Sequence, residues 1–340
     1  MTDLLLRALV LGCLSVTALA QPAVARPEIC LITKSQDNPL FVRMRNAAVE
    51  AAAAKDIALS TFAGRSLGDV EAQVAAVEAC IAARADGIMI APNDSRALVP
   101  VVRKARAAGI MIVALDTEFE PVDTADATYA TDNYLAGVLV GEWARGRLGA
   151  EAAEAKIALL NLNASGVSAD YQRVNGFLEG FGIAVTNATR AGSTDDPRVV
   201  GIAPSNGTAE GGRTAMENLL LLDPGIDLVF TINEPAAAGA FQTLRAFGVE
   251  DDIVIVSVDG GCPGVRDVAA GVIGATSMQF PDRMAEEGIN AIARFLKTGA
   301  VPQLPDGRRF FDTGTELVTD APVDGLVSMS SDIALGECWG

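Results

Sequence analysis

From Ile29 onward the chain repeats one rhythm: a short apolar run, a few polar residues, then a longer amphipathic stretch. The runs ICLIT, IALSTF, GIMIAP and IMIVALD form one set, and KIALLNLN, GIAVTNAT, IDLVFTIN and DIVIVSVD form a second. Between them the spacing predicts helices from about Pro39 to Lys55, Asp69 to Arg84 and Ser95 to Ala108. In the second set it predicts helices from Ser168 to Glu179, Ala209 to Leu222 and Pro235 to Phe247. Apolar runs alternating with helices are βαβ units, which build a parallel sheet covered on both faces. Two successive sets predict an α/β protein made of two similar doubly wound parallel-sheet lobes. Asp94-Ser95 and Thr131-Asp132 stand where helix caps are expected.

The length of 340 residues fits two cores better than one. A net charge of -17 repels phosphate backbones and anionic headgroups, so neither nucleic acid nor a membrane surface is an expected partner. The chain has no histidine, which removes histidine triads, histidine bases and histidine metal ligands. At the N-terminus Arg7 precedes an apolar run from Ala8 to Ala20, too short to span a bilayer and followed by small residues. That is the layout of an export signal, cut after Ala20 or Ala25. An exported chain reaches a compartment that permits disulfides. Cys13 leaves with the leader. Cys30 and Cys80 read as buried free thiols, and Cys262 and Cys338 as the better candidates for a bridge.

The expected order is a leader over 1–25, a first lobe over 26–131 and 280–309, and a second lobe over 132–279 and 310–340. Glu118 to Ala130 is the expected first crossing. The strand GATSMQ and the helix Asp282 to Leu296 read as the return, and Arg308 to Val318 as a crossing back. Several crossings make a multi-strand hinge.

Ligands of open α/β sheets bind beyond the carboxyl ends of the strands. In this chain nearly every strand ends in an amide or an acid: Lys34 and Asn38, Asn93-Asp94, Asp116-Thr117, Asn161 and Asn163, Asn233-Glu234, and Asp259. Any one of these could serve only a turn or a helix cap, as Asn93-Asp94-Ser95 is read to do. Six strand ends behaving alike point to one shared, hydrogen-bonding cleft, as a polyhydroxylated ligand requires. Phe41 offers a flat face for a sugar ring. Glu234 either reaches the ligand or caps the helix at Pro235. Tyr134 and Tyr171 read as packing.

The stretches DNPLFVRMRNAA, ADGIMIAPND, AGIMIVALD, TDNYLAGVLVGE, YQRVNGF, LVFTINEPAAAGA, VIVSVDGG and GATSMQFPDRMA together resemble the periplasmic sugar-binding proteins of ribose type, the periplasmic binding protein type I fold. That fold is shared with the ligand domains of lactose-repressor-like regulators. Lys34 and the wording ALDT and INEP look most like the fructose-type branch. The resemblance implies ligand contacts at Lys34, Asn38, Phe41, Asp116, Thr117, Arg173, Asn233, Asp259 and Gln279. It implies a monosaccharide ligand, an ABC permease as partner, a periplasmic location, no cofactor and no catalysis. Three positions depart from ribose binders: Leu40 replaces a stacking aromatic, Thr117 an arginine and Val258 an aromatic. These changes are expected to reduce stacking and to open room. Two other functions are weighed. One is a ligand-sensing protein of the same fold: a regulator would need a basic N-terminal helix-turn-helix, where this chain has an apolar leader and strong acidity, and a sensor for a chemotaxis receptor would use the same site. A glycoside hydrolase could use Asp116 and Asp259 as an acid/base pair. Nucleotide motifs GxGxxG and GxxxxGK[ST] are absent. Asp116→Ala and Asp259→Ala are each expected to abolish binding and leave the protein folded.

Overall fold

A computed structural model describes residues 26–163, 166–304 and 307–340, so the leader and Cys13 lie outside the described residues. The first lobe runs β1 (Glu28–Thr33), α1 (Pro39–Ala53), β2 (Ala58–Ala63), α2 (Val70–Ala83), β3 (Gly87–Ile90), α3 (Val99–Ala107), β4 (Met111–Leu115) and β5 (Ala127–Ala130). The chain then enters the second lobe with α4 (Asn133–Leu148), β6 (Ile157–Asn161), α5 (Ser168–Phe181), β7 (Val199–Pro204) and α6 (Ala209–Leu222). It continues through β8 (Leu228–Thr231), α7 (Glu234–Phe247), β9 (Val254–Asp259), α8 (Cys262–Ala269) and β10 (Ala275–Met278). Then α9 (Pro281–Thr298) packs on the first lobe against α1 and β4. β11 (Phe311–Asp312), β12 (Glu316–Val318) and α10 (Ser331–Ala334) follow.

The two sheets have the same order, β11-β5-β4-β3-β1-β2 and β12-β10-β9-β8-β6-β7. Every pairing is parallel except β10 with β12. The expected doubly wound architecture is present in both halves. Its basis is visible in β1, where alternate residues serve opposite faces. Ile29 and Leu31 join the α1 and α9 side with Met44, Ala48, Met284 and Ile289. Cys30 and Ile32 join the α2 and α3 side with Val77 and Val102.

Four expectations are corrected. GIAVTNAT forms no strand: Gly182 closes α5 at φ +93°, Ile183 alone is fully buried, and the edge strand is β7, whose residues are mostly half-exposed. Glu118 to Ala130 is not the crossing, because its buried ATYA pairs with β4, and the chain leaves only at Thr131-Asp132. GATSMQ belongs to the second sheet beside β9, so the return falls at Gln279-Phe280. Phe311 and Asp312 pair with Tyr129 and Ala130 of the first sheet, so residue 310 does not open a second-lobe segment.

The thiol reading is corrected too. Cys30 and Cys80 form a disulfide, with Cα atoms 6.3 Å apart. α2 crosses β1 at a distance that brings the two Cβ atoms within bridging range. The Cys262–Cys338 bridge is present as expected, with Cα atoms 5.0 Å apart. The first bridge spans 50 residues. Replacing Cys30 and Cys80 by serine is expected to lower stability by about 2–4 kcal/mol, read as a lower urea midpoint.

One glycine arrangement positions the site. α4 carries Gly137 and Gly141, and α5 carries Gly176 and Gly180. A Cβ at Gly137 would lie 2.1 Å from the Arg173 carbonyl oxygen, and one at Gly176 would lie 2.1 Å from that of Tyr134. The two backbones therefore touch, and this contact places Asn133 beside Arg173.

Candidate functional site

The carboxyl ends of both sheets face one gap between the lobes, as the topology requires. Lys34 follows β1, Asp116 follows β4 and Asp259 ends β9. Because the sheets share one strand order, Asp116 and Asp259 occupy equivalent places in the two lobes. Both have unusual backbones, with φ +62° at Asp116 and +138° at Asp259. A non-glycine residue holds such angles only where its surroundings fix it, and such residues gather at functional sites. Asp116 is fixed by its N–H donating to Tyr129 O (3.0 Å) and by Asn133 Nδ2 donating to its carbonyl (2.9 Å). Gln279 N–H donates to the Asp259 carbonyl (2.8 Å), and Gln279 Nε2 donates to Oδ1 (2.8 Å).

The charges form a chain. Lys34 Nζ lies 2.6 Å from Asp116 Oδ2 and donates to Thr117 Oγ1 at 2.6 Å. Arg173 approaches Asp116 Oδ1 at 3.7 Å and Asp259 Oδ1 at 3.5 Å. Its Nε donates to Asn133 Oδ1 (2.7 Å) and its Nη1 to Ile232 O (3.0 Å). All four ionic side chains are at most 7% exposed. Arg173, from the second lobe, thus reaches an acid of each lobe.

Seven of the nine expected residues line the gap: Lys34, Asn38, Phe41, Asp116, Arg173, Asn233 and Asp259. Asn38 and Asn233 also cap α1 and α7, accepting from Leu40 N–H and Ala236 N–H. Thr117 and Gln279 stand behind the lining, each bonded to a charged residue in it. Gln279 Oε1 is buried with no partner among the described residues. Of the departures, Leu40 lines the gap, Thr117 receives Lys34, and Val258 lies in the second-lobe core beside Phe177 and Phe230. The expectation that Val258 opens room is therefore corrected: its side chain faces away from the site.

Asn161 turns from the gap to bond Asp170 and Asn163. Asn93 is no cap. It is buried, donates to Lys34 O (3.0 Å) and accepts from Gly68 N–H (2.9 Å), while α3 begins only at Val99. Glu234 does not line the gap either; it accepts from Gly260 and Gly261 N–H and from Thr276 Oγ1.

Sequence reasoning missed Asp170 and Asn133. Asp170 lines the gap one turn before Arg173 on α5, and that i, i+3 spacing was the available signal. It also missed the apolar wall of Leu67, Leu162, Val167 and Ile232, in which Leu67 comes from the first lobe and the rest from the second.

The lobes are in contact across the mouth. Ser95 N–H donates to Gly166 O (3.1 Å), Ser168 N–H to Ser95 Oγ (3.0 Å), and Gln172 Nε2 to Glu118 Oε2 (2.8 Å). Tyr171, read as packing, donates its hydroxyl to Glu120 across the same seam.

The electrostatics divide the acids. Burial pushes Asp116 up, but the Lys34 ammonium and the Arg173 guanidinium outweigh it and hold the carboxyl below the ordinary value. Burial pushes Asp259 up to about 7, against Arg173 and with help from the Asp116 charge. Burial raises Asp170 to about 6. Asp259 and Asp170 therefore keep protons in the fold at pH values where the unfolded chain has lost them. Their contribution to stability is largest near the ordinary carboxylate value of ~4 and is lost as pH rises through 6 and 7. The sugar-free protein is expected to melt a few degrees higher at about pH 5.5 than at about pH 7.5. Asp259→Asn combined with Asp170→Asn should reduce that difference in a thermal scan, with the remainder left by Glu234, whose carboxyl burial also pushes well up.

A family model described as a periplasmic binding protein domain matches residues 29–300. The chain belongs to that family. It is 26% identical over 275 residues to the Ribose import binding protein RbsB of Escherichia coli (strain K12), covering 81% of this chain and 86% of that protein. It is 28% identical over 303 residues to the D-ribose/D-allose-binding protein of Pseudomonas aeruginosa, covering 86% and 89%. Among solved structures it resembles an ABC transporter periplasmic solute binding protein from Actinobacillus succinogenes with bound D-allose. That match has a TM-score of 0.73 and 25% identity, covering 86% of this chain and 98% of that one. A solute binding protein from Mycobacterium smegmatis with bound glycerol gives 0.74 and 27%, covering 90% and 99%. These relatives are transport proteins and not enzymes, and this periplasmic binding protein is likewise a binder. Neither acid of the hydrolase alternative stands free: Lys34 and Arg173 engage Asp116, and Arg173 and Gln279 engage Asp259. No helix among the described residues is long and apolar enough to cross a membrane.

Proposed function

We propose that this chain is the exported solute-binding component of an ABC-type sugar importer, and that it closes on a neutral monosaccharide. The observation that carries this reading is the charge chain Lys34–Asp116–Arg173–Asp259, which joins both lobes around one gap. Each cation there already faces a carboxylate, so nothing in the chain calls for an anionic ligand. The acids and amides that line the gap offer fixed acceptors and donors for hydroxyls. Phe41 supplies the ring face. The departure at Thr117 gains a reason here. The cation beside Asp116 comes from Lys34 on the first strand and not from the position after Asp116.

The sugar belongs to the ribose and allose kind, with fructose a further candidate from the wording of the sequence. Ligand bridging the lobes stabilises the closed form, and the closed form is what an inner-membrane permease would receive in the periplasm. A thermal-shift panel of D-allose, D-ribose, D-fructose, myo-inositol, glycerol and D-glucuronate tests the proposal. At least one neutral sugar should raise the melting temperature with dose, equivalent to about 2.7 kcal/mol at 100 times Kd. A panel in which nothing shifts, or in which the uronate shifts most, refutes it.

A further inference from the structure

Asp259 keeps a backbone angle that ordinary residues avoid, and the means of holding it lie outside the gap. Behind it the turn Gly260-Gly261 is gripped from two sides. On one side Glu234, buried, accepts Gly260 N–H at 2.8 Å and Gly261 N–H at 3.1 Å. Gly264 leaves room for that carboxyl, since a Cβ there would lie 1.9 Å from Glu234 Cδ. The run GGCPG, which fits no phosphate motif, is therefore accounted for by Glu234.

On the other side stands Trp339, 5% exposed. Its backbone bridges Gly261, and its carbonyl accepts Cys262 N–H at 2.8 Å. Its indole Nε1 donates to Gln279 O at 2.7 Å. Its side chain belongs to the first-lobe apolar cluster that includes Leu40 and Phe41. The neighbouring Cys338 is bridged to Cys262. Gln279, which this indole holds, is the residue that donates both its N–H and its Nε2 to Asp259. It also sits where the chain passes back to the first lobe, between β10 and α9.

We propose that Trp339, tethered through the Cys262–Cys338 bridge, is a positioning residue that holds Gln279, and through it Asp259, in the geometry that grips the sugar. The proposal rests on the sugar-binding reading above for its consequence, but not for the mechanical link itself. Trp339→Phe removes the indole bond to Gln279 and trims the part of the ring that lies beside Gly261, while its backbone bond to Cys262 is kept. The double variant Cys262→Ser with Cys338→Ser frees the whole segment. Removing one hydrogen bond of this kind corresponds to about ten-fold in an equilibrium constant at most.

The test uses the exported protein titrated calorimetrically with D-allose, together with amide exchange in the sugar-free state. Trp339→Phe and the double serine variant should each weaken D-allose binding several-fold, up to about ten-fold. The sugar-free melting temperature of Trp339→Phe should stay within a few degrees of wild type. Amide exchange at Gln279 and Gly261 should quicken in both variants. A phosphine dose that opens the half-buried Cys262–Cys338 bridge and spares the buried Cys30–Cys80 bridge should weaken wild-type binding as the serine pair does, and should leave the affinity of the serine pair unchanged. Wild-type affinity together with wild-type exchange at Gln279 in Trp339→Phe overturns the proposal, as does an affinity loss matched by a general loss of stability. If wild type fails to bind D-allose, the sugar assignment is at fault, and the exchange rates alone decide the brace.

Discussion

Asp116→Ala is expected to abolish monosaccharide binding and to lower folding stability by about 3–5 kcal/mol. The sequence alone predicted a folded, non-binding variant, and the structure changes that expectation. Asp116 is 2% exposed and faces Lys34 at 2.6 Å and Arg173 at 3.7 Å. Deleting it strands a buried ammonium, and among the described residues Thr117 alone is left to accept from Lys34. An unpaired buried charge costs more than the pair was worth. Lys34→Met combined with Asp116→Leu removes both charges, so it should recover most of the stability and none of the binding. Urea melts and calorimetric titration of the two variants separate the effects. A stable, non-binding Asp116→Ala would mean that water reaches Lys34 and that the gap is more open than described.

Gly176→Val is the second large effect. The new Cβ would sit 2.1 Å from the carbonyl oxygen of Tyr134, which is helix backbone and not the end of a flexible side chain. Overpacking of this kind costs about 1–3 kcal/mol where side chains can yield, and here they cannot, so the loss should exceed that range. Separating α4 from α5 also pulls Arg173 from Asn133, a bond of 2.7 Å. The folded fraction should therefore bind sugar poorly. The check is a urea melt followed by titration under conditions where the variant remains folded. A variant with wild-type stability would show that the helices do not touch as described.

Much of this fold is written locally. Runs such as GIMI and IALL are apolar throughout, as strands covered on both faces must be, and their helices follow at βαβ spacing. Edges were harder to read. β7 contains glycine and proline and keeps a half-exposed face, while GIAVTNAT, which mixes threonines and an asparagine with its apolar residues, follows a helix stop and stays loop. Glu118 to Ala130 and GATSMQ read as crossings because residues such as Thr131 and Gln279 differ little from ordinary turn residues. The Cys30–Cys80 bridge depends on how α2 lies over β1, which no single segment records.

The site was legible where chemistry is tied to strand ends. Asp116, Asn233 and Asp259 could be named from position alone. Asn161 ends a strand too, yet it faces Asp170 and not the gap. That choice is made by tertiary contacts. The same is true of Asn133, which supports Arg173 from a helix start, and of the indole of Trp339, eighty residues along the chain from Asp259 and bonded to the Gln279 that holds it.

The most direct test of the account is a crystal structure with the neutral monosaccharide that shifts the melting temperature most. The sugar ring should lie on Phe41 between the lobes, with hydroxyls within about 3.2 Å of Asp116, Arg173, Asn233 and Asp259. A sugar held on one lobe only, or bound away from these four residues, would contradict it.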